Sequence, residues 1–294
     1  MSAALKIPAQ TIVDKLDELP TLPTVVYELS RVINDPMSST GDVEKIMAND
    51  QSLTVKVLKL ANSAYYAIPG GVSSLQRAIG YIGYDTINQL VLSASIVNAL
   101  NAKSSEQFNL NEFWKHAIGV AMAAETTARF VHYKTPSDLF TCGLVHDMGK
   151  VATYMIAPDL FLETVAFAQA NGLSLHEAEE QTGAPKHTAI GRELATKWRL
   201  PGLIQAAAAH HHQKETNLRS GLSSEMNNVV DIVYLSNLLI HALQFGHSGH
   251  VKVLGVPKDV LERMRLTPEK LKELIAKIRE SITNADNFLK IIGS

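Results

Sequence analysis

The stretch Gly143-Leu144-Val145-His146-Asp147-Met148-Gly149-Lys150 places a histidine and an aspartate side by side in an otherwise apolar run. Burying an imidazole and a carboxylate together is costly unless each is paired or bound to metal. On a helix, adjacent side chains diverge by about 100°. Both can therefore reach a two-metal centre, or one can bind metal while the other orients a partner. Lys150 follows His146 by one turn and could meet an anion there. The plainer alternative is a helix-capping aspartate with a nearby histidine.

Outward from this stretch the pattern is helical almost throughout. Upstream, Leu22, Val25, Val26, Leu29, Val32 and Ile33 recur at helical spacing, and Asp35-Pro36 stops that helix because the residue before proline is driven from the α region. Ser39-Thr40-Gly41-Asp42 and Asp50 offer caps for the next two helices. Pro69-Gly70-Gly71 is a loop, Ser74 opens a short helix through Ile82, and Asp85 begins a long one reaching about Ala102. The polar segment Asn101–Asn111 marks a boundary between lobes. Beyond it the pattern predicts helices at about 111–132, 137–157, 159–171, 174–182, 186–199 and 201–212, with Pro136, Pro158, Pro185 and Pro201 at their starts. Three more follow a polar loop, at about 225–245, 257–264 and 267–292. Period-2 alternation is confined to Gly249–Leu254. The fold class is all-α, with an N-terminal helical lobe over residues 1–104 and a second lobe over 105–294.

Composition narrows the functional classes. The 294 residues carry 27 Lys+Arg against 29 Asp+Glu, so no bulk attraction to nucleic acid or to an anionic membrane is expected. One cysteine, Cys142, excludes intramolecular disulfides and four-thiolate metal sites, and it reads as a buried core thiol. No apolar run reaches the roughly 20 residues of a membrane span, and none near Met1 suits a signal peptide. The sequence therefore predicts a soluble, cytoplasmic protein. There is no phosphate-binding glycine loop, nucleophile elbow or zincin helix.

Histidine is abundant, at 11 residues. His116 lies four residues after Glu112, so the two share a helix face; a buried histidine with one hydrogen-bond partner is the plain reading. His187 stands where a helix begins, a position whose dipole gives a lone histidine nothing; a surface role is the alternative. His210-His211-His212 ends an alanine-rich helix, where the dipole alone favours imidazole, yet three exceed what capping requires. Asp231, inside Val229-Val230-Asp231-Ile232-Val233, faces a polar site or a cation, or else an exposed helix side. Together these form a set of imidazoles and carboxylates on separate helices, suited to iron, manganese, zinc or nickel in a two-metal site. His132, His176, His241, His247 and His250 fall outside this order and read as surface or satisfied histidines.

The order His116, His146-Asp147, His187, His-His and Asp231 resembles the HD superfamily of metal-dependent phosphohydrolases. Leu60-Ala61-Asn62-Ser63-Ala64-Tyr65-Tyr66, Ser74–Gly83, Leu19-Pro20-Thr21-Leu22-Pro23, Phe113-Trp114-Lys115-His116 and Trp198-Arg199-Leu200-Pro201 narrow it to the HDOD family, the HD-related output domain. The resemblance runs from about residue 17 to 213 and leaves a less characteristic tail from 222 to 294.

It implies an all-helical, HD-like bundle in a bacterial, cytoplasmic protein of signalling. It implies one or two divalent ions (Fe, Mn or Zn) on Glu112, His116, His146, Asp147, His187, His211, His212 and Asp231, with His210 at a variable position. The related HD-GYP phosphodiesterases, which cleave cyclic di-GMP, add roles for Glu112 as a carboxylate ligand and for Lys150 as a phosphate contact. Their Gly-Tyr-Pro loop is missing, since Gln213-Lys214-Glu215-Thr216-Asn217 follows His212.

Three functions compete. The first is a metal-binding output module that acts on signalling proteins through its N-terminal lobe. The second is a phosphohydrolase on a nucleotide, cyclic dinucleotide or other phosphate, with Asp147 and Lys150 catalytic. The third is a di-iron redox or oxygen sensor, or an oxygenase.

Overall fold

The computed structural model describes residues 8–292 apart from Asn34, Pro36, Ser220 and Val251. Among the described residues the regular structure is helical, with no strand. The N-terminal elements are α1 (Ala9–Asp14), α2 (Thr24–Ile33), α3 (Thr40–Met47), α4 (Gln51–Ala61) and α5 (Leu75–Ala99). Then come α6 (Leu110–Phe130), α7 (Pro136–Val145), α8 (Met148–Ile156), α9 (Pro158–Asn171), α10 (Leu175–Thr182), α11 (His187–Lys197) and α12 (Gly202–His210). The chain closes with α13 (Ser224–Ala242), α14 (Lys258–Arg263), α15 (Pro268–Ser281) and α16 (Ala285–Ile292).

Local chemistry sets these ends. Asp42 accepts from the Ser39 backbone N–H at 3.0 Å and closes a capping box on α3. Asp50 accepts from the Leu53 N–H at 2.9 Å to start α4, and Ser74 from the Arg77 N–H at 3.3 Å to start α5. Gly83, at φ +81°, interrupts α5 where the sequence changes from its short helix to its long one. The α2 helix ends at Ile33, whereas Pro36, the expected stop, lies outside the described residues, as does the start of the chain through residue 7.

One continuous apolar core runs from Ile12 to Ile292. The last helix ties the two ends of the chain together. Phe288 of α16 packs on Tyr65 and Phe140, and the buried Lys56 ammonium of α4 donates to the Ile292 carbonyl at 3.1 Å. Tyr65 also donates to the buried Glu125 of α6 at 2.7 Å, so the Leu60–Tyr66 motif is a seam between α4 and α6. Cys142 is fully buried, and burial raises its thiol pKa, as suits a core residue.

The helix expected at 137–157 is in fact two. α7 ends at Val145, His146 and Asp147 form a turn, and α8 starts at Met148. The glycines on either side explain the geometry. A Cβ on Gly143 would lie 2.8 Å from the Ala121 Cα of α6, and one on Gly149 would lie 1.9 Å from the His187 carbonyl oxygen of α11. Both helices therefore pack backbone to backbone against neighbours, and the turn between them points inward. Gly149→Ala is expected to lower stability by about 3 kcal/mol or more. Gly80→Ala, on an open helix face, should be neutral or slightly stabilising. Thermal unfolding of the two variants distinguishes backbone contact from a general glycine effect.

Candidate metal centre

Asp147 sits at the α7–α8 turn, fully buried, and its side chain does not cap α8. Its Oδ1 lies 3.2 Å from both His187 Nε2 and His211 Nε2. Its Oδ2 lies 3.3 Å from His146 Nε2 and accepts from the Lys150 ammonium at 2.7 Å. Burial opposes ionisation, but Lys150, followed by His146 and His187, holds this carboxyl well below the usual carboxylate range.

The imidazoles are fixed from behind. His187 begins α11, and its Nδ1–H is received between both oxygens of buried Glu179 at 2.8 Å each, while its backbone N–H donates to Glu179 at 3.1 Å. His211 Nδ1–H is shared between the Ala207 and Ala208 carbonyls at 3.1 Å at the end of α12, where the Ala207 carbonyl also accepts from the His211 backbone N–H. His146 Nδ1–H donates to the Gly143 carbonyl at 2.7 Å. Each bond fixes a tautomer and turns the Nε2 lone pair inward, the arrangement that outer partners impose on metal-binding histidines.

Those lone pairs converge. His187 Nε2 is 3.3 Å from His211 Nε2 and 3.1 Å from His212 Nε2. With the protons of His187 and His211 committed to Nδ1, their facing nitrogens have none to share, and such a contact is repulsive without a cation between them. Ligands at metal–nitrogen bonds of about 2.0–2.1 Å stand about 3.4 Å apart in a tetrahedron. Asp147, His187, His211 and His212 fit that requirement, with donor atoms all within 4.8 Å of one another.

A second group, His116, His146 and Asp147, meets the same limit and shares the aspartate. His116 donates from Nε2 to the Asn237 side-chain oxygen of α13 at 3.0 Å, which leaves its Nδ1 buried and without a partner. The Lys150 ammonium, also bonded to the Ser248 carbonyl at 3.2 Å, already neutralises Asp147 Oδ2 on this side.

Two residues of the expected set lie elsewhere. Glu112 is exposed, and its carboxylate enters neither group. The chain between α13 and α14 explains this. His247 N–H donates to the Glu112 carbonyl at 3.0 Å, and Gly246, at φ +67°, lies so close to α6 that a Cβ would fall 2.3 Å from the His116 nitrogen. This strap fills the space Glu112 would have to cross. Asp231 is buried but accepts from Arg219 at 2.7 Å and from Arg263 at 2.7 and 2.8 Å. Its cation is a pair of guanidiniums. Arg219 also donates to the Gln213 carbonyl and Arg263 to the Lys214 carbonyl, so Asp231 anchors the loop that leaves His212.

Three histidines that read as surface or satisfied belong to the centre instead. His241 packs on His116 with ring centroids 4.3 Å apart, His250 packs on His241 at 4.5 Å, and His176 stacks on His212 at 4.6 Å. The spacing of Asn237 and His241, four apart on α13, is the one signal that could have found them; His250 lies on the irregular strap, where no period applies. Glu179 was also missed, since nothing in its acidic helix distinguishes it from Glu177 or Glu180. His132, by contrast, is exposed at the end of α6.

A helical bundle thus carries a buried carboxylate shared between two imidazole groups that could hold a metal ion. The HDOD domain model matches residues 19–214, and the chain belongs to the HDOD domain family. An HDOD domain protein of unknown function from Geobacter sulfurreducens superposes with a TM-score of 0.78 at 24% identity, covering 96% of this chain and 99% of that one. A candidate phosphohydrolase from Shewanella amazonensis SB2B gives 0.73 at 21% identity, with 96% and 97% covered. A candidate signal transduction protein from Marinobacter aquaeolei VT8 gives 0.76 at 18% identity, with 96% and 61% covered. These likenesses show the fold. An uncharacterized protein of Treponema pallidum (strain Nichols) is 24% identical over 282 residues, covering 95% of this chain and 52% of its own length, so the chain spans about half of that relative. No described helix is long and apolar enough to cross a membrane.

Burial of neutral imidazole has a consequence for stability. Burial lowers His116, His211 and His250 to about 3 each. An unfolded chain protonates these residues below about 6.5 while the folded one does not, so their stabilisation is complete above pH 6.5 and is lost as the pH falls toward 3. Each contributes about 1.4 kcal/mol per pH unit in that window. His187 moves the other way, since burial opposes its charge but Glu179 raises its pKa, and being protonated in both states below pH 6.5 it adds no slope in that window. The metal-free protein is expected to lose thermal stability steeply between pH 6.5 and 4.5; an unchanged Tm over that range would contradict the neutral burial.

Proposed function

We propose that this HDOD protein is a bacterial signalling module that binds a divalent metal on Asp147, His187, His211 and His212, and that it acts through protein partners. The convergence of three imidazole nitrogens and Asp147 Oδ1 carries the metal assignment. Imidazole and carboxylate donors suit iron, manganese or zinc. Lys150 on Asp147 Oδ2 favours a single ion, because a second cation would face an ammonium 2.7 Å from the shared carboxylate. The cavity beside the site, about 100 Å³, supports regulation over turnover of a nucleotide, since ligand clefts for such molecules measure about 300–1,000 Å³. Exposed Tyr27, Val55 and Tyr81 on the N-terminal helices support partner contact through that lobe.

The second reading is a phosphohydrolase, and buried Lys150 beside Asp147 is the observation that favours it. A divalent ion bound there would polarise a phosphoryl oxygen and lower the pKa of a coordinated water. Lys150 would then neutralise a developing negative charge.

Elemental analysis of untagged protein is expected to find about one equivalent of a first-row metal, absent from Asp147→Ala. Glu179→Ala removes the acceptor that turns His187 inward, and about 10–100-fold weaker metal binding is expected in chelator competition. A phosphodiester panel should show no turnover by the loaded protein. Metal-dependent hydrolysis abolished by Lys150→Ala would replace the first reading by the second.

A further inference from the structure

Two open grooves lie on the second lobe, and none of the metal-centre residues lines them. One, of about 780 Å³, runs between the end of α6 and α15. The other, of about 620 Å³, runs between the same end of α6, the start of α13 and α14. They meet at Val131, His132, Met264 and Arg265, which line both.

Two helix ends shape the junction. Beyond α6 and α14 the chain turns through a left-handed residue, His132 at φ +58° and Arg265 at φ +55°. Each turn is closed from behind, by the Tyr133 N–H on the Ala128 carbonyl at 2.8 Å and by the Leu266 N–H on the Leu261 carbonyl at 2.9 Å. Glycine is favoured at such caps, yet here an imidazole and a guanidinium stand there and line both grooves.

The first groove has an apolar floor and a basic rim. Phe130, Val131 and Met264 are half-buried along the floor, with Leu266 buried at its base. Lys270 and Lys277 stand two turns apart on one face of α15, and Arg129 stands on α6. Arg129 is held by buried Glu125, and Lys277 by Glu273 at 3.6 Å. Arg265 and Lys270 are exposed and have no ion-pair partner among the described residues. The second groove adds no free charge, since its Lys134 is held by Glu225 at 2.8 Å and its Arg263 by Asp231 and Asp259. Unmatched positive charge therefore gathers at Arg265 and Lys270, above an apolar floor.

An occupant has to cover that floor and bring carboxylates to those two cations. Lysine and arginine stems extend apolar surface while their heads stay in water. The groove therefore suits a segment with apolar residues on one side and Asp or Glu beside them. A nucleic acid is the poorer match, because its phosphates offer nothing to Met264 and Val131 and the whole chain carries a net charge of −2. A small ligand is also a poorer match. Such sites enclose their ligand and fix it with inward polar groups, whereas no groove residue has a buried side-chain polar atom left unpaired among the described residues.

We infer that the groove between α6 and α15 is a docking site for an acidic amphipathic segment of a protein partner, held by Arg265 and Lys270 over Phe130, Val131 and Met264. This contact lies on the second lobe, is additional to the N-terminal surface proposed above, and does not depend on the metal.

The test uses the full chain. Random peptides displayed on phage are selected on the wild type, and those enriched are synthesised with a fluorophore. They are titrated into the wild type, Arg265→Glu/Lys270→Glu, Lys59→Glu on exposed α4, and Val55→Asp on the N-terminal lobe, with Tm measured for each. The enriched peptides are expected to carry Asp and Glu among apolar residues. Their affinity is expected to fall about tenfold or more in Arg265→Glu/Lys270→Glu at unchanged Tm, because like charges then face each other, and to be unchanged in Lys59→Glu and Val55→Asp. Replacing the peptide's carboxylates by amides, or its apolar residues by serine, is expected to weaken binding comparably.

A selection that yields no binder, binders without Asp and Glu, or binding indifferent to Arg265→Glu/Lys270→Glu would overturn the inference. So would equally tight binding of single-stranded oligothymidine, which would assign the groove to nucleic acid. A wild-type dimer dispersed by Arg265→Glu/Lys270→Glu in sedimentation would assign it to a second copy of the chain and overturn the partner. Affinity lost in Val55→Asp and kept in Arg265→Glu/Lys270→Glu would overturn the groove while leaving the N-terminal contact standing.

Discussion

The Asp147 carboxylate is the constraint around which the protein is arranged. It is fully buried, and an isolated carboxylate in that position would be expelled or protonated. Lys150 one turn on, donating to it at 2.7 Å, makes its charge tolerable. To deliver it, the chain breaks a helix at His146–Asp147 and brings α7 against α6 and α8 against α11 at distances only glycine permits. The outer partners Glu179, Gly143 and the end of α12 then determine which nitrogen of each histidine faces it. Loss of any of these positions would turn a lone pair away from the common point rather than merely loosen packing.

The loops on either side of the last ligand serve the same end. Asp231 with Arg219 and Arg263 ties down the chain leaving His212, so a carboxylate expected to bind metal instead holds the loop next to it. The strap after α13 covers α6, excludes Glu112 and borders a small space lined by histidines.

Much of this was legible in the sequence. Helical periodicity gave the all-α class, caps such as Ser39, Asp50 and Ser74 marked helix starts, and His116, His146, Asp147, His187, His211 and His212 were all singled out before their neighbours were known. What stayed hidden has physical reasons. A turn of two residues between helices leaves no break in an apolar pattern, so the α7–α8 junction read as one helix. Glu112 has the right spacing to His116, yet spacing cannot reveal that Gly246 and His247 lie across its path. Asp231 was rightly expected to face a cation, but Arg219 and Arg263 are 12 and 32 residues away, and only the tertiary fold shows that they reach it first. His250 and Glu179 have no periodic signal, and only contact makes them part of the site.

X-ray absorption spectroscopy at the metal edge of the loaded protein tests the central claim most directly. The expected first shell contains three imidazole nitrogens and a carboxylate oxygen at about 2.0–2.2 Å, falling to two imidazoles in His211→Ala. A shell with one imidazole or none, or one unchanged by His211→Ala, would contradict the centre described here.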